Sequence, residues 1–454
     1  MRLSTVEIEN LRAVGRLKLP LHERLNVLVG DNAAGKTSVI EAIAIGLGAI
    51  LEHLPDCKGR AFRDADLRVY PIRGGRANDH EVTFWMRTPF VRVALHTDTD
   101  TGLAWDRIKR RDRTRSTAAE TPKALGLARL QAFLDPIITS VQAGGDADLP
   151  IVAYYGTERA VPAIPQRKRA FRATMSRFAA LDGALDAGFR FKDVFEWLVM
   201  QEDLERREKE SHADFGYKLP VLEAVRNAVE RGLDGCRRPR TELNPLRLVV
   251  DLETPTGGVE QLALDQLSGG YRTMLTLVID LARRMAQANP HRGGEAIDAP
   301  GIVLIDEVDL HLHPRWQQRV VHDLQRAFPN IQFIVSTHSP QVLTTVKPES
   351  ILILEREAGR ISAAVPTSSY GAKSGRLLTE ILGVEQEPPA QVVDFTRLMQ
   401  RYGELIAQDR GEAPEALALR QQLEQLSPHE PELLRMDLEI RRRRVLRRAR
   451  EAQA

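Results

Sequence analysis

The stretch "GDNAAGKT", Gly30–Thr37, decides the fold, because it fits the pattern G-x-x-x-x-G-K-[ST] without a mismatch. A short apolar run, "RLNVLVG", precedes it and is typical of a buried strand. The stretch that follows, "KTSVIEAIAIGLGAIL", is typical of a long helix with an apolar face. In this setting the backbone N–H groups of the loop and the helix dipole both favour an anion. The sequence therefore predicts a nucleotide-phosphate site in an α/β fold.

The loop and the first turn of its helix supply the candidate ATP-binding residues. Lys36 is expected to reach the β- and γ-phosphates, and the Thr37 hydroxyl is expected to bind Mg²⁺. The alternative, a chance glycine-rich turn, is disfavoured by the strand and the helix on either side. The full set of expected ATP-binding residues here is Gly30, Asp31, Asn32, Ala33, Ala34, Gly35, Lys36, Thr37 and Ser38.

Two later runs, "GIVLIDE" and "IQFIVSTHS", are nearly continuously apolar, as buried parallel strands are. Asp306 lies at the end of the first, where open α/β sheets bind ligands, and is expected to hold Mg²⁺ through water. Glu307 is the candidate base for the attacking water. His338 follows the second strand and is expected to contact the γ-phosphate and that water, although a lone histidine is more often structural. Two acids that merely end a strand are the alternative for Asp306 and Glu307.

A second glycine pair stands in "LDQLSGGYRTML", Leu264–Leu275, at the start of another predicted helix. The N-terminus of a helix that begins with glycines can also hold a phosphate. One nucleotide needs only one such loop, so the ligand of Ser268, Gly269 and Gly270 is a separate question. A helix start without any ligand is the alternative.

Composition excludes some classes of protein. The 454 residues carry 64 Lys and Arg against 62 Asp and Glu, so bulk charge does not indicate a nucleic-acid partner. Cys57 and Cys236 have neither zinc-site spacing nor the number needed for a disulfide framework, which fits a reducing cytosol. The N-terminus alternates like a strand rather than a signal peptide, and no apolar run reaches about 18 residues. We therefore expect a cytoplasmic protein with no membrane partner.

The order of these motifs carries a resemblance. The chain resembles the ABC-type ATPases in the motifs it carries. These are the P-loop, LSGG, four apolar residues followed by Asp-Glu, and a histidine after the next strand. "LIDEVDLHLHP" followed by "STHSPQVL" resembles the soluble RecF/SMC/OLD-like branch, and the likeness extends from Met1 to about Leu354. It implies an α/β head with a mixed central sheet and an antiparallel lobe, which uses ATP and Mg²⁺. It also implies a head-to-tail homodimer in which Ser268, Gly269 and Gly270 cap the ATP of the other subunit.

The motifs and the local residue patterns predict four parts along the chain. The first half of the head would occupy residues 1–164, with antiparallel strands from about Glu81 to Arg115. A helical insertion would occupy 165–240, and 241–366 would complete the head with the signature, Asp306 and His338. A C-terminal helical appendage, 367–454, would bind a partner.

The sequence departs from the family pattern after the first helix. We find no convincing Q-loop glutamine, and "RDADLRVYPI" offers Asp64 and Asp66 instead, so the Mg²⁺ ligand from that loop stays open. Between Gly30 and Ser268 there are no heptad arms, which disfavours an SMC-type clamp. The stretch from Thr367 is too short and too basic for the metal-binding nuclease domain of an OLD protein. ATP hydrolysis is the single chemistry that the motifs predict.

Three further stretches, "LPIVAYYGTERA", "SSYGAKSGRLLTEILGV" and "HEPELLRMDLEIRRR", resemble the ATPase of Septu-type and retron-associated antiphage systems. In those systems a companion HNH endonuclease cuts, which implies that this ATPase gates a nucleic-acid-directed effector. One rival is a RecF-type loader in DNA repair or recombination, with DNA as its primary ligand. Another is a self-contained effector resembling anticodon nucleases, disfavoured because no nuclease constellation is visible.

Local charge and apolar patterns add two expectations. The basic clusters could bind a nucleic-acid backbone or be solvated faces; they are Arg107–Arg115, Arg167–Arg172, the stretch around Arg237, and Arg441–Arg450. The helix "VVDFTRLMQRYGELIA" places an apolar face along Val393, Leu398, Met399, Tyr402 and Leu405–Ile406. We expect that face to pack on the ATPase head or on a second copy, or in part to receive a nuclease.

Overall fold

The structure is a computed structural model. It describes the backbone of residues 1–77, 80–158, 176–188, 191–254, 256–357, 360–383, 393–428 and 430–451. For residues 72–77, 80–83, 393–394 and 446–451 the description extends to the backbone alone.

The strands of the described residues follow the predicted alternation of apolar runs and turns. In chain order they are β1 Leu3–Leu11, β2 Val14–Pro20, β3 Leu25–Val29, β4 Val69–Ala77, β5 His80–Arg87, β6 Phe90–Thr97, β7 Ala104–Arg110, β8 Ile151–Tyr155, β9 Cys236–Leu243, β10 Leu246–Glu253, β11 Val259–Ala263, β12 Gly301–Ile305, β13 Ile331–Ser336, β14 Ile351–Glu357 and β15 Arg360–Ala364.

The helices between and after these strands are numbered in the same way. They are α1 Lys36–His53, α2 Arg115–Glu120, α3 Ala128–Gln142, α4 Phe191–Ser211, α5 Pro220–Gly232, α6 Gly269–Ala288, α7 Pro314–Gln317, α8 Val320–Ala327, α9 Pro340–Leu343, α10 Ser374–Glu380, α11 Val393–Ala407, α12 Pro414–Leu426 and α13 Pro431–Glu451.

A central sheet of order β15-β14-β3-β13-β12-β8 positions the predicted site. All of its neighbours are parallel except β14 and β15, which pair antiparallel. Every residue of β3, β8, β12 and β13 is buried, as their apolar composition predicts. Because β3, β13 and β12 are adjacent and parallel, their carboxyl ends meet at one edge of the sheet. That edge brings together the P-loop, His338 and Asp306.

A second, antiparallel sheet of order β2-β1-β6-β7 covers helix α1. The helix also contacts the central sheet through β12 and β13, which explains why it is apolar almost all round. Gly46 allows this close approach, because a Cβ there would lie 2.6 Å from a methyl carbon of Leu95. The Trp105 indole donates to the Gly46 carbonyl at 2.9 Å. The mixed sheet with its antiparallel lobe confirms the predicted α/β class.

Helices α4 and α5 lie in the stretch expected to be a helical insertion, and a third sheet of order β11-β10-β9 follows them. Helix α5 packs against α6 and α8, and α6 packs against β8. The boundaries of the four expected parts remain predictions.

The chain divides into two compact units, Met1–Gly383 and Val384–Ala454. The second consists of α11, α12 and α13 around a small core, in which Met399, Tyr402, Leu405 and Ile406 are buried. These residues pack against α12 and α13, and the Tyr402 hydroxyl donates to Asp437 at 3.4 Å. The apolar face of α11 is therefore covered by its own unit. This corrects the expectation that these four residues pack on the head or on a second copy, and the expectation that another part of the face receives a nuclease stays a prediction.

No helix among the described residues is long and apolar enough to cross a membrane. The basic cluster Arg167–Arg172 lies outside the described residues.

Candidate nucleotide site

The P-loop adopts a tight turn that its glycines permit. Gly30 has a φ of 144°, and a Cβ at this position would lie 2.3 Å from the carbonyl oxygen of Leu354. Gly35, the residue before α1, has a φ of 93°, which an L side chain rarely adopts. The Ala34 N–H donates to the Asp31 carbonyl at 3.1 Å and closes the turn. The local sequence thus fixes a loop that leads directly into the N-terminus of α1.

Lys36 folds back over this loop. Its ammonium donates to the carbonyl oxygens of Gly30 at 2.7 Å and Asp31 at 3.0 Å. Burial lowers the pKa of Lys36, and the nearby carboxylates of Asp306, Asp31 and Glu307 partly oppose that shift. A phosphate at this place would supply a better acceptor than the two carbonyls, because hydrogen bonds between charged groups are stronger.

Asp306 and Glu307 follow β12 and are held by one serine of the neighbouring strand. The Ser336 hydroxyl donates to Asp306 Oδ1 and accepts the Glu307 N–H at 2.8 Å. The Asp306 N–H donates to the carbonyl of Tyr155 at 2.9 Å, which continues the pairing of β12 with β8. Glu307 has a φ of 49°, a left-handed conformation that is uncommon outside glycine and recurs at functional sites.

A cavity of about 300 Å³ lies at this edge of the sheet. It brings together residues that were predicted from three separate motifs, and three that were not. Its lining consists of Ala13, Asn32, Ala33, Gly35, Lys36, Thr37, Ser38, Asp306, Glu307, Ser336, His338 and Arg356. Gly30, Asp31 and Ala34 shape the loop without lining the cavity. His338 is exposed at its rim.

The donor set of the cavity fits ATP and Mg²⁺. Lys36 and Arg356 supply positive charge for phosphate oxygens, and the Thr37 hydroxyl with Asp306 supplies the oxygen ligands that Mg²⁺ prefers. In nucleotide sites Mg²⁺ takes most of its other ligands from water and phosphate, so one carboxylate is enough. Glu307 and His338, the two residues predicted to act on the attacking water, also line the cavity.

Sequence reasoning missed Ala13, Ser336 and Arg356. Ser336 had a signal, because it ends the apolar run before His338 on the strand paired with β12. Arg356 lies at the exposed end of β14 and Ala13 in the turn between β1 and β2. Neither belongs to a local motif, and folding alone brings them to the cavity.

The two acids considered in place of a Q-loop glutamine do not line the cavity. Asp64 is ion-paired with Lys109 at 2.5 Å. Asp66 is buried and paired with Arg12 at 2.9 Å. Arg12 also pairs with Glu41 of α1. Both aspartates therefore tie the segment before β4 to the head.

The signature motif lies outside this cavity. Ser268 is the N-cap of α6, and its hydroxyl accepts the Tyr271 N–H at 3.4 Å. Ser268 and Gly269 are exposed, whereas Gly270 is buried against the segment after Asp306. A Cβ on Gly270 would lie 2.7 Å from the carbonyl oxygen of His311. No residue of Ser268–Gly270 contributes to the lining of the nucleotide cavity in the same chain.

A buried polar cluster joins the signature helix to the central sheet. Asp280 of α6 accepts a hydrogen bond from the Tyr155 hydroxyl at 2.9 Å. It also pairs with Arg283 at 2.8 Å and Arg284 at 2.9 Å. Burial would raise the pKa of Asp280, but the two arginines outweigh it and lower that pKa to about 2. Since the Tyr155 carbonyl accepts the Asp306 N–H, one residue contacts both the signature helix and the strand end that carries Asp306.

Several arginines of the described basic clusters are paired with carboxylates. Arg107 binds Glu52, and Arg237 binds Glu253. Arg238 and Arg240 share Asp251, and in the C-terminal unit Arg443 pairs with Asp409 and Glu439. Exposed pairs of this kind contribute little stability, but they reduce the charge offered to a phosphate backbone.

Two family models match this chain, and both describe AAA domains. Residues 126–344 match the family model described as "AAA domain, putative AbiEii toxin, Type IV TA system". Residues 5–228 match a second model, "AAA domain". The SMC head domain from Thermotoga maritima aligns with 81% of this chain at 14% identity and a TM-score of 0.39.

The similar proteins carry names from two kinds of system, retrons and Septu systems. The "Retron Vc95 probable ATPase" of Vibrio cholerae serotype O1 biovar El Tor is 25% identical over 89% of this chain and 84% of its own length. The "Retron Ec83 probable ATPase" of Escherichia coli is 26% identical over 98% of this chain and 87% of its own length. The "Septu protein PtuA" of Bacillus mycoides is 38% identical over 31% of this chain and 19% of its own length. With the motif order and the cavity described above, the chain is a P-loop ATPase that is similar to the probable ATPases of retron systems and, over 31% of its length, to the Septu protein PtuA.

Proposed function

We propose that this ATPase acts as a homodimer whose nucleotide state gates a companion HNH endonuclease in antiphage defence. The observation that carries the dimer is the exposed signature: Ser268 and Gly269 start a helix, carry free surface and lie outside the nucleotide cavity of their own chain. An N-terminus of this kind suits a phosphate supplied from outside the chain.

Within each site, the chain's own residues divide the work of hydrolysis. Lys36 and the loop amides bind the phosphates, and bound Mg²⁺ supplies charge that offsets the negative oxygens. Glu307 accepts a proton from the attacking water as that water bonds to the γ-phosphorus. The bond between the γ-phosphorus and the bridging oxygen breaks, which leaves ADP and phosphate. His338, at the rim, orients the water, and Ser336 positions both acids.

The dimer is tested by mixing two inactive variants. Lys36→Ala removes the phosphate-binding charge, and Ser268→Arg places a bulky cation at the exposed helix start. Each alone should lose hydrolysis, while Ser268→Arg should keep nucleotide binding to a single chain. Mixed heterodimers contain one composite site with an intact P-loop and an intact signature, so hydrolysis should return in part. Heterodimers that form by crosslinking but stay inactive in every proportion would contradict action across the interface.

The nuclease proposal rests on the resemblance to the ATPases of Septu-type and retron-associated systems. Among the described residues, no group of three or more His, Cys, Asp or Glu side chains could hold a metal ion. We infer that the chemistry of an HNH site comes from another polypeptide, as it does in the systems that the sequence resembles. The C-terminal unit, Val384–Ala454, is the candidate docking region, because its three helices form a separate core.

The structure sharpens the deletion that tests this docking. Cutting at Thr367 would remove Leu377, Ile381 and Leu382, which are buried in the head core. Deleting Val384–Ala454 avoids that loss. The shortened chain should keep ATP hydrolysis and lose both co-purification with the neighbouring gene product and defence in cells. Nuclease activity from the purified full chain alone would overturn the proposal.

A RecF-like DNA-binding ATPase in repair or recombination is the alternative. It predicts strong, salt-dependent binding of duplex DNA without any nuclease partner. The similarity to the probable ATPases of retron systems over most of the chain favours the first proposal.

A further inference from the structure

A second cavity lies at the opposite edge of the central sheet from the nucleotide cavity. Its volume is about 620 Å³, and it shares no lining residue with the nucleotide cavity of about 300 Å³. The turn that leads into β3, helix α8, the segment before β14 and Tyr370 form its walls. This volume is in the range of pockets that hold small ligands.

The turn into β3 is fixed by buried amides. The His22 N–H donates to Asn26 Oδ1 at 2.7 Å, and the His22 carbonyl accepts from Asn26 at 2.9 Å and from Gln332 at 2.9 Å. His22 Nδ1 accepts the Arg24 N–H at 3.2 Å. The neutral imidazole therefore carries its proton on Nε2, which makes that atom a donor. The turn is held in one conformation before any ligand binds.

Among the described residues, Arg24 is the one arginine or lysine of this wall without an ion pair. Its Nε is buried and has no hydrogen-bond partner among the described residues. The other charged groups of the wall are engaged: Glu23 pairs with Arg2 at 3.5 Å, Arg326 with Asp234 at 2.6 Å, and Lys347 with Glu349 at 4.0 Å. A half-buried guanidinium without a counter-charge is unfavourable, so Arg24 favours an anion brought from outside.

Tyr370 supplies a flat apolar surface beside these donors. Its side chain is 68% exposed. The backbone on either side is held, because the Ser369 hydroxyl donates to the Val346 carbonyl at 2.6 Å and the Gly371 N–H donates to the Thr344 carbonyl at 2.8 Å. An exposed aromatic ring on a fixed backbone is what nucleobases stack on.

We propose that this cavity binds a phosphate group that is attached to a nucleoside, either a free nucleotide or the end of a nucleic-acid strand. Arg24 and the His22 Nε2–H would bind the phosphate, and Tyr370 would stack on the base. An acidic peptide would also satisfy Arg24, but it would leave the ring of Tyr370 unused. The site is separate from the ATP site and requires neither the dimer nor the nuclease.

The test uses the full chain and a single-stranded DNA of about 12 nucleotides with a 5′-phosphate and a 3′-fluorophore, followed by fluorescence anisotropy. Arg24→Gln and Tyr370→Ala should each weaken binding about tenfold. Two exposed residues outside the cavity provide matched controls, Arg16→Gln and Phe215→Ala, which should leave binding unchanged. Tyr370 is exposed, so its variant remains informative if Arg24→Gln is poorly folded.

Competition distinguishes the two sources of the phosphate. Unlabelled UMP that displaces the DNA fully, with sensitivity to Tyr370→Ala, would identify a free nucleotide as the ligand. Displacement by 5′-phosphorylated DNA but not by UMP would identify a strand end. Three results would each overturn the proposal. The first is that neither the labelled DNA nor UMP binds, and the second is that Tyr370→Ala and Phe215→Ala bind the DNA equally well. The third is that polyglutamate displaces the labelled DNA as effectively as unlabelled DNA does. Throughout, ATP hydrolysis should stay unchanged in Tyr370→Ala.

Discussion

Helices α1 and α6 both begin at a glycine-rich motif, but they present it in opposite ways. At α1 the loop before the helix walls a cavity of its own chain, together with Asp306, Glu307 and Ser336. At α6 the body of the helix is buried, while Ser268 and Gly269 are exposed at the surface. A Cβ built on Gly269 would have no neighbouring heavy atom within 4 Å. The short sequence of a motif therefore determines which chemical group it can bind. The packing of the motif in the fold determines whether the bound nucleotide lies in its own chain's cavity or comes from outside.

The largest expected effect is on the chemical step. Glu307→Gln keeps the shape of the side chain and removes the base, so ATP should bind with little change. Turnover should fall by about 10²- to 10⁴-fold, the usual contribution of a general base. Steady-state hydrolysis with a separate nucleotide-binding measurement checks both statements. Glu260→Gln, on the exposed strand β11, is the control and should hydrolyse ATP normally. Undiminished turnover in Glu307→Gln would remove this residue from the mechanism.

Much of the nucleotide cavity could be predicted because each part is a short motif at a strand end. Parallel strands place their carboxyl ends together, so "GDNAAGKT", Asp306 and His338 were expected to meet, and they do. Arg356 and Ala13 could not be predicted, since their positions depend on the pairing of β14 with β3 and on the β1–β2 turn. Sequence spacing carries no record of such long-range pairing.

The C-terminal helices show the opposite limit. The apolar face of α11 was correctly expected to be buried, but its partner was wrong. An amphipathic pattern reports that a face is covered and not what covers it. Here α12 and α13, the next helices in the chain, cover it within one small core.

The next effect concerns the buried cluster behind the signature. Asp280→Asn leaves Arg283 and Arg284 buried without a carboxylate, which should lower the free energy of unfolding by about 3 to 5 kcal/mol. Chemical denaturation measures this change. The control is Asp203→Asn, which breaks an exposed helical pair with Arg207 and should cost no more than about 0.5 kcal/mol. Equal losses in the two variants would show that the buried cluster does not stabilise α6.

The same cluster predicts a dependence on acid. The pKa of Asp280 is lowered to about 2 in the folded chain, below the value of about 3.9 for an unperturbed aspartate. The carboxylate therefore stabilises the fold fully above pH 4 or so, and this contribution is lost as the pH falls toward 2. Asp280→Asn should thus lose less stability between about pH 4 and pH 2 than the unsubstituted protein loses.

A smaller effect separates two adjacent glycines of the signature. Gly270→Ala brings a Cβ to 2.7 Å from the His311 carbonyl, so the helix start must shift and stability should fall by about 1 to 3 kcal/mol. Gly269→Ala meets open space and should leave the stability of a single chain unchanged. If hydrolysis nevertheless falls in Gly269→Ala while nucleotide binding is kept, the exposed glycine acts on a ligand outside its own chain. Normal hydrolysis in Gly269→Ala together with normal stability would weaken the difference drawn between the two helices.

The smallest effect tests whether the two motifs are joined through Tyr155. Tyr155→Phe keeps the carbonyl that holds Asp306 and removes only the hydroxyl that donates to Asp280. The two arginines still neutralise Asp280, so the free energy of unfolding should fall by only about 1 kcal/mol. Tyr217→Phe, on the half-buried loop before α5, is the control and should change neither stability nor activity. The hydroxyl lies between α6 and β8 and contacts no residue of the nucleotide cavity, so ATP binding to a single chain should be unchanged. If the signature helix influences Asp306 through this hydrogen bond, kcat should fall. A loss of nucleotide binding in Tyr155→Phe would mean instead that the hydroxyl supports the P-loop side, and the separation of the two motifs would fail.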